Sequence, residues 1–108
     1  MKIFISLDKS TKPLKKYVLT YKENDGKIKK INFGSKNSST YLDHHDKIKR
    51  DNYLNRHRVN EDWSEINAGS ASAFILWGKS TDLYENLITF LNKFNILHDF
   101  NNENDDSY

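Results

Sequence analysis

The sequence predicts an α+β domain, a small antiparallel sheet packed with two or three helices. Three observations carry that expectation. Residues 14–33 alternate about a turn signal, with Tyr17, Leu19 and Tyr21 on one face and Val18 and Thr20 on the other. Leu83, Leu87, Phe90, Leu91 and Phe94 fall at i, i+4, i+7, i+8 and i+11, a single apolar helical stripe. Two Trp, six Tyr and six Phe among 108 residues give even this polar chain enough large apolar surface for one core.

The elements follow in order. "MKIFISL" reads as a first strand. In the 14–33 hairpin the turn is "NDG", Asn24 to Gly26, because glycine supplies the positive φ that tight hairpin turns need. The second arm, "KIKKINF", interleaves Lys27, Lys29 and Lys30 and predicts one lysine-studded face. "GSKNSST" is a loop by composition. Asp43 is the expected N-cap of a helix over 44–58. "VNEDWSEINAG" is irregular and anchored by Trp63. A short helix covers 70–77 with Gly78 at its C′ position, and Ser80 or Thr81 then caps a helix over 81–95. Residues 1–98 form one compact domain, and 99–108 form an acidic, disordered tail.

Cysteine is absent, which removes disulfides, thiolate zinc sites and cysteine nucleophiles. No apolar run approaches the roughly 20 residues of a membrane span. "MKIFISL" is also too short an apolar stretch for a secretory leader. The expectation is a soluble intracellular protein. The net charge of +2 conceals a division. Residues 1–60 hold 15 Lys and Arg against 6 Asp and Glu, whereas residues 61–108 hold 2 against 9. Such asymmetry points to a polyanionic partner for the basic half.

The densest stretch of that half is "HHDKIKRDNYLNRHR", residues 44–58. At about 100° per residue, Asp46, Arg50, Tyr53 and His57 share one narrow helical face. The expectation is a structural polar latch: Asp46 and Arg50 pair at i, i+4, while Tyr53 and His57 tuck their rings against the hairpin. Metal enzymes fit poorly. Adjacent His44 and His45 diverge by about 100° on a helix and cannot chelate one ion together. Asn52 follows His45 too closely for a ββα-metal nuclease. Without a GxSxG elbow, an HExxH pair or a glycine-rich phosphate cradle, the sequence predicts no enzyme, no metal and no cofactor.

The remaining cations of the stretch are Lys47, Lys49, Arg56 and Arg58, with Lys27, Lys29, Lys30 and Lys36 upstream. Flexible cations spread over a surface are what phosphate contact requires. A solvated charged face is an equal reading for any single lysine, but the clustering favours phosphate contact for the set. Two function classes follow. The first is a sequence-independent nucleic-acid binder, double-stranded DNA favoured. The second is an adaptor whose basic half docks on an acidic protein or on the acidic half of another copy of itself.

The order Phe33–Gly34, His45–Asp46, Lys49–Arg50, Tyr53, Arg56–His57, Ala68–Gly69, Ser72, Leu76–Trp77 and Lys79 resembles a family of small basic proteins of unassigned function. That family is found in giant nucleocytoplasmic large DNA viruses. The resemblance spans about residues 14–95 and implies a structural or genome-packaging role in the virion or infected cell. The modest net charge and the acidic tail depart from a strongly basic member.

Overall fold

The computed structural model describes residues 1–100. It is an α+β fold in which a four-stranded sheet of order β3-β2-β1-β4 is covered on one face by helices. The strands are β1 (Lys2–Lys9), β2 (Lys15–Lys22), β3 (Ile28–Ser35) and β4 (Ile96–Leu97). The first three pair antiparallel, whereas β4 adds two residues parallel to β1. The NDG turn forms with Gly26 at φ 87, the left-handed region glycine enters without steric cost.

The register decides which side chains face the helices. Leu19 stands between Leu7 and Ile31, and Tyr17 pairs with Phe33, so these residues line the covered face. There Leu19 and Phe33 meet Ile75, Leu87, Phe90 and Leu91, all without solvent exposure. The opposite face carries a row across all four strands, Ile28, Lys22, Ile3 and Leu97, which stays exposed. The register also corrects the expected lysine-studded face. Lys29 pairs with Tyr21 and Lys30 with Thr20, so the period-2 alternation sends these neighbours to opposite faces.

The helix expected over 44–58 is broken in two: α1 is Tyr41–His44 and α2 is Lys47–Arg58. Asp43 does not cap α2. It sits at the third position of α1, where its carboxylate accepts the Thr40 N–H at 2.7 Å in a capping box. His45 then turns left-handed at φ 55 and ends α1. Asp46 restarts the chain, accepting the N–H groups of Ile48 at 2.9 Å and Lys49 at 3.2 Å.

Further on, α3 (Ala68–Ala71) runs into a π-helical turn, Ser72–Leu76, closed by Trp77 N donating to Ser72 O at 3.0 Å. Gly78 is not a left-handed cap; it is glycine because an added Cβ would lie 2.4 Å from the Phe74 carbonyl oxygen. Helix α4 is Leu83–Lys93, and its cap is Asp82 rather than Ser80 or Thr81: the Asp82 carboxylate accepts Tyr84 N–H at 2.9 Å. Ser80 Oγ instead accepts the Asp82 N–H. The Phe100 ring lies 5.3 Å from Phe4, so the packed region reaches two residues past the expected boundary at 98. The rest of the expected tail, 101–108, lies outside the described residues.

Candidate functional site

Helix α2 buries none of its residues, so packing of an apolar face does not explain its position. What anchors it is one polar contact and one aromatic stack. Arg50 Nε donates to the carbonyl oxygens of Trp77 and Gly78, at 2.9 Å each. These carbonyls end the π-helical turn and lack intrahelical partners, so a guanidinium from a separate helix serves as their C-terminal cap. One turn along α2, the Tyr53 ring stacks on Trp77 with centroids 4.1 Å apart and planes within 4°. His57 stacks on the far side of Tyr53 at 4.0 Å.

The latch residues therefore divide. Arg50, Tyr53 and His57 do share one face, but that face meets the end of the π-helical turn rather than the hairpin. Asp46 leaves the group. It precedes the first helical turn, and its carboxylate is engaged by backbone N–H groups, so it forms no ion pair with Arg50. Those bonds, from Lys49 N–H first, hold its pKa below the usual carboxylate value.

His57 Nδ1 donates to Glu61 Oε2 at 2.8 Å, and Glu61 Oε1 accepts Trp63 Nε1–H at 2.8 Å. Burial, then the Glu61 charge, pushes the Tyr53 phenol up to about 12, against weaker pulls from Ser72 and Arg56. His44 and His45 are separated by different tasks. His44 Nδ1 accepts the Asp46 N–H at 3.0 Å, which places its proton on Nε2 beside the Tyr41 and Trp77 rings. His45 Nε2 donates to the Leu42 carbonyl at 3.1 Å.

All eight candidate phosphate contacts are exposed: Lys27, Lys29, Lys30, Lys36, Lys47, Lys49, Arg56 and Arg58. Among the described residues none of the eight makes an ion pair. They do not form one patch. A rise of about 3.3 Å per residue places Lys29 roughly 20 Å along β3 from Ser35, beside which Lys36 follows. On α2 the helical period puts Lys49 and Arg56 on one flank of the docked face and Lys47 and Arg58 on the other. Lys49, Asn52 and Arg56 line a shallow cleft with Trp77, while the Arg58 guanidinium lies 5.7 Å from the Trp63 ring centre.

A deeper cleft of about 500 Å³ opens between the end of the hairpin, α2 and α3. Gly34, Tyr53, Arg56, His57, Gly69 and Trp77 are among its walls, residues that the sequence pattern had singled out without a common place. Lys15, Ser39 and Glu61 join them, and nothing in the spacing had marked these three. The glycines have steric reasons. Gly34 has φ 80, and an added Cβ would strike Leu76 Cδ1 at 2.7 Å; one on Gly69 would lie 2.9 Å from Glu61 Oε1.

The fold and this surface define a small α+β domain with a cation-flanked helix beside a cleft lined by both aromatic and charged side chains. Residues 5–57 match the model of a family of unknown function (DUF5754). The matched segment runs from β1 through His57 and stops short of Glu61, Ser72 and Trp77. No curated protein and no solved structure matches the chain. Among the described residues no helix is long and apolar enough to cross a membrane.

Proposed function

We propose that this domain is a non-enzymatic, sequence-independent nucleic-acid binder, double-stranded DNA favoured, with α2 as its gripping element. The observation that carries the reading is the flanking of α2 by two exposed cation pairs, none of them matched by a carboxylate among the described residues. Cations held on both sides of one rigid helix can reach phosphates on both sides of a groove, and no base-edge geometry is needed for that. Lys36 extends the surface past the end of β3, and the tip lysines Lys27, Lys29 and Lys30 form a separate, weaker contact. The giant-virus resemblance supports placing such a binder in genome packaging or the virion.

The test is a titration of the full chain with duplex DNA at several salt concentrations. The reading expects log affinity to fall linearly with log salt. A slope of about −3 to −5 corresponds to several released counterions. Replacing Lys47, Lys49, Arg56 and Arg58 together should flatten it by about 3 to 4. Undetectable binding at low salt overturns the reading. So does salt-sensitive self-association of the protein alone together with a flat DNA response, which would shift the basic half to the adaptor class.

A further inference from the structure

The deeper cleft asks for a ligand of its own. Its volume of about 500 Å³ lies within the roughly 300–1,000 Å³ range of small-molecule sites. Three cationic or protonatable groups converge on it from two elements: Lys15 from β2, and Arg56 and His57 from α2. Ser39 contributes a hydroxyl from the loop after β3. The one carboxylate there, Glu61, is already engaged. One oxygen takes His57 Nδ1–H and the other takes Trp63 Nε1–H, each at 2.8 Å. Glu61 thus fixes the His57 ring and supplies its counter-charge when protonated, leaving the Nε2 edge for another partner. Neither Lys15 nor Arg56 makes an ion pair among the described residues.

We infer that this cleft binds a phosphomonoester group, presented by a free mononucleotide or by the terminal phosphate of a nucleic-acid strand. A phosphomonoester brings up to two negative charges on three terminal oxygens, which suits a fork, an ammonium, an imidazole edge and a hydroxyl arriving from different directions. The lining comes from β2 and β3, the loop after β3, α2 and α3, so these groups can reach one phosphate from several directions. The site goes beyond the groove-gripping surface, since Lys15 and His57 belong to the cleft and not to the cation set on the flanks of α2.

The experiment follows the tryptophan fluorescence of the full chain, with Trp77 in the wall as reporter, during titration with inorganic phosphate, adenosine monophosphate and adenosine. Saturable responses to the monophosphate and to phosphate, but none to adenosine, are expected. Lys15→Ala should weaken monophosphate binding by about tenfold or more, because one charge-assisted contact is lost. Lys15 is exposed, so its replacement spares the fold. Equal responses to monophosphate and adenosine, no response at millimolar ligand, or an unchanged affinity in Lys15→Ala would overturn the site. Comparing duplexes with 5′-phosphate and 5′-hydroxyl ends then separates the sources: a preference for the phosphorylated end assigns a strand terminus, and no preference assigns the free nucleotide. Because Lys47→Ala/Arg58→Ala should weaken duplex binding and leave monophosphate binding intact, the two readings fail separately.

Discussion

Arg50 and Trp77 are joined across 27 residues of sequence by a hydrogen bond of 2.9 Å from the guanidinium Nε to the carbonyl oxygen, and the Gly78 carbonyl shares the same donor. The guanidinium also lies 5.7 Å from the Tyr41 ring centre, so it ties α1, α2 and the π-helical turn together. Arg50→Ala leaves two carbonyls without their donor and should cost about 2–3 kcal/mol. Arg56→Ala removes an exposed cation from the same helix and should cost less than about 0.5 kcal/mol. Arg50→Lys should not restore the loss, because an ammonium at the end of a longer stem cannot stand where Nε does. Denaturant midpoints of the three variants check this; equal midpoints for Arg50→Ala and Arg56→Ala would refute it.

Tyr53 lies between His57 and Trp77, and its phenol is pushed up to about 12 by burial first and the Glu61 charge second. The ordinary tyrosine value is about 10. A folded value above the unfolded one means the folded state holds its proton more tightly. The resulting stability is fully present below about pH 10 and is lost as pH rises toward about 12. Ultraviolet phenolate titrations of the wild type and Tyr53→Phe should differ by a single step near the upper end of that range. Tyr21 is also raised, again by burial first and Glu23 next, so the difference between the two proteins is the informative quantity. A difference step centred at the ordinary tyrosine value would contradict the stacked, half-buried placement.

The hairpin and α4 were legible in the sequence because their signals are local: an alternation about one glycine turn, and one stripe of five apolar residues. The break between α1 and α2 was missed, although Thr40 and Asp43 carry capping-box spacing. The helical face formed by Asp46, Arg50, Tyr53 and His57 looked continuous, and a left-handed histidine has no signature in a wheel projection. Asn86, a polar residue next to the apolar stripe of α4, was not read from the sequence either. It is buried, with Nδ2 donating to Ile75 O at 2.9 Å and Ser80 O at 2.7 Å, which shapes the turn after the π-helix. The partners of Arg50 and the walls of the cleft were not legible. They meet only after α3 and the π-helical turn fold back against α2, and no spacing within one element encodes that.

Asp46 separates a cap from an ion pair in one comparison. As a cap its carboxylate accepts two backbone N–H groups, a task an asparagine side chain also performs. Asp46→Ala should therefore lower the melting temperature, while Asp46→Asn should recover most of the loss near neutral pH. Its pKa is lowered chiefly by the Lys49 N–H. The carboxylate's contribution is thus present above the ordinary aspartate value and fades as pH falls through the lower folded one. An Asp46→Asn variant as unstable as Asp46→Ala would restore the ion-pair reading.

Gly78 and Gly26 are required for different reasons, and one pair of substitutions tells them apart. Gly26 has φ 87 with open space where a Cβ would go, so only the backbone conformation is at stake. Asparagine enters that region readily, and Gly26→Asn should cost well under about 1 kcal/mol. At Gly78 a Cβ would lie 2.4 Å from Phe74 O and 2.6 Å from Asn86 Cγ, so any side chain must displace the buried amide. Gly78→Ala should cost about 1–3 kcal/mol, and Gly78→Asn no less. Chemical denaturation checks both; tolerance of alanine at 78 would show that the Asn86 turn yields more easily than its three hydrogen bonds suggest.

The two flanks of α2 make a prediction that charge alone does not. If the helix lies along a groove with phosphates on either side, Lys47 with Arg58 and Lys49 with Arg56 touch opposite strands. Each alanine pair should then reduce the salt slope of duplex binding by about 1.8. On single-stranded DNA only one flank can be engaged at a time, so the loss from either pair should be smaller. A diffuse electrostatic attraction predicts instead that both pairs lower affinity for single and double strands alike, in proportion to charge removed. Measuring the four slopes decides between these. A duplex loss confined to Lys49 and Arg56, the pair beside the shallow cleft and Trp77, would assign contact to one flank and leave Arg58 to its place over Trp63.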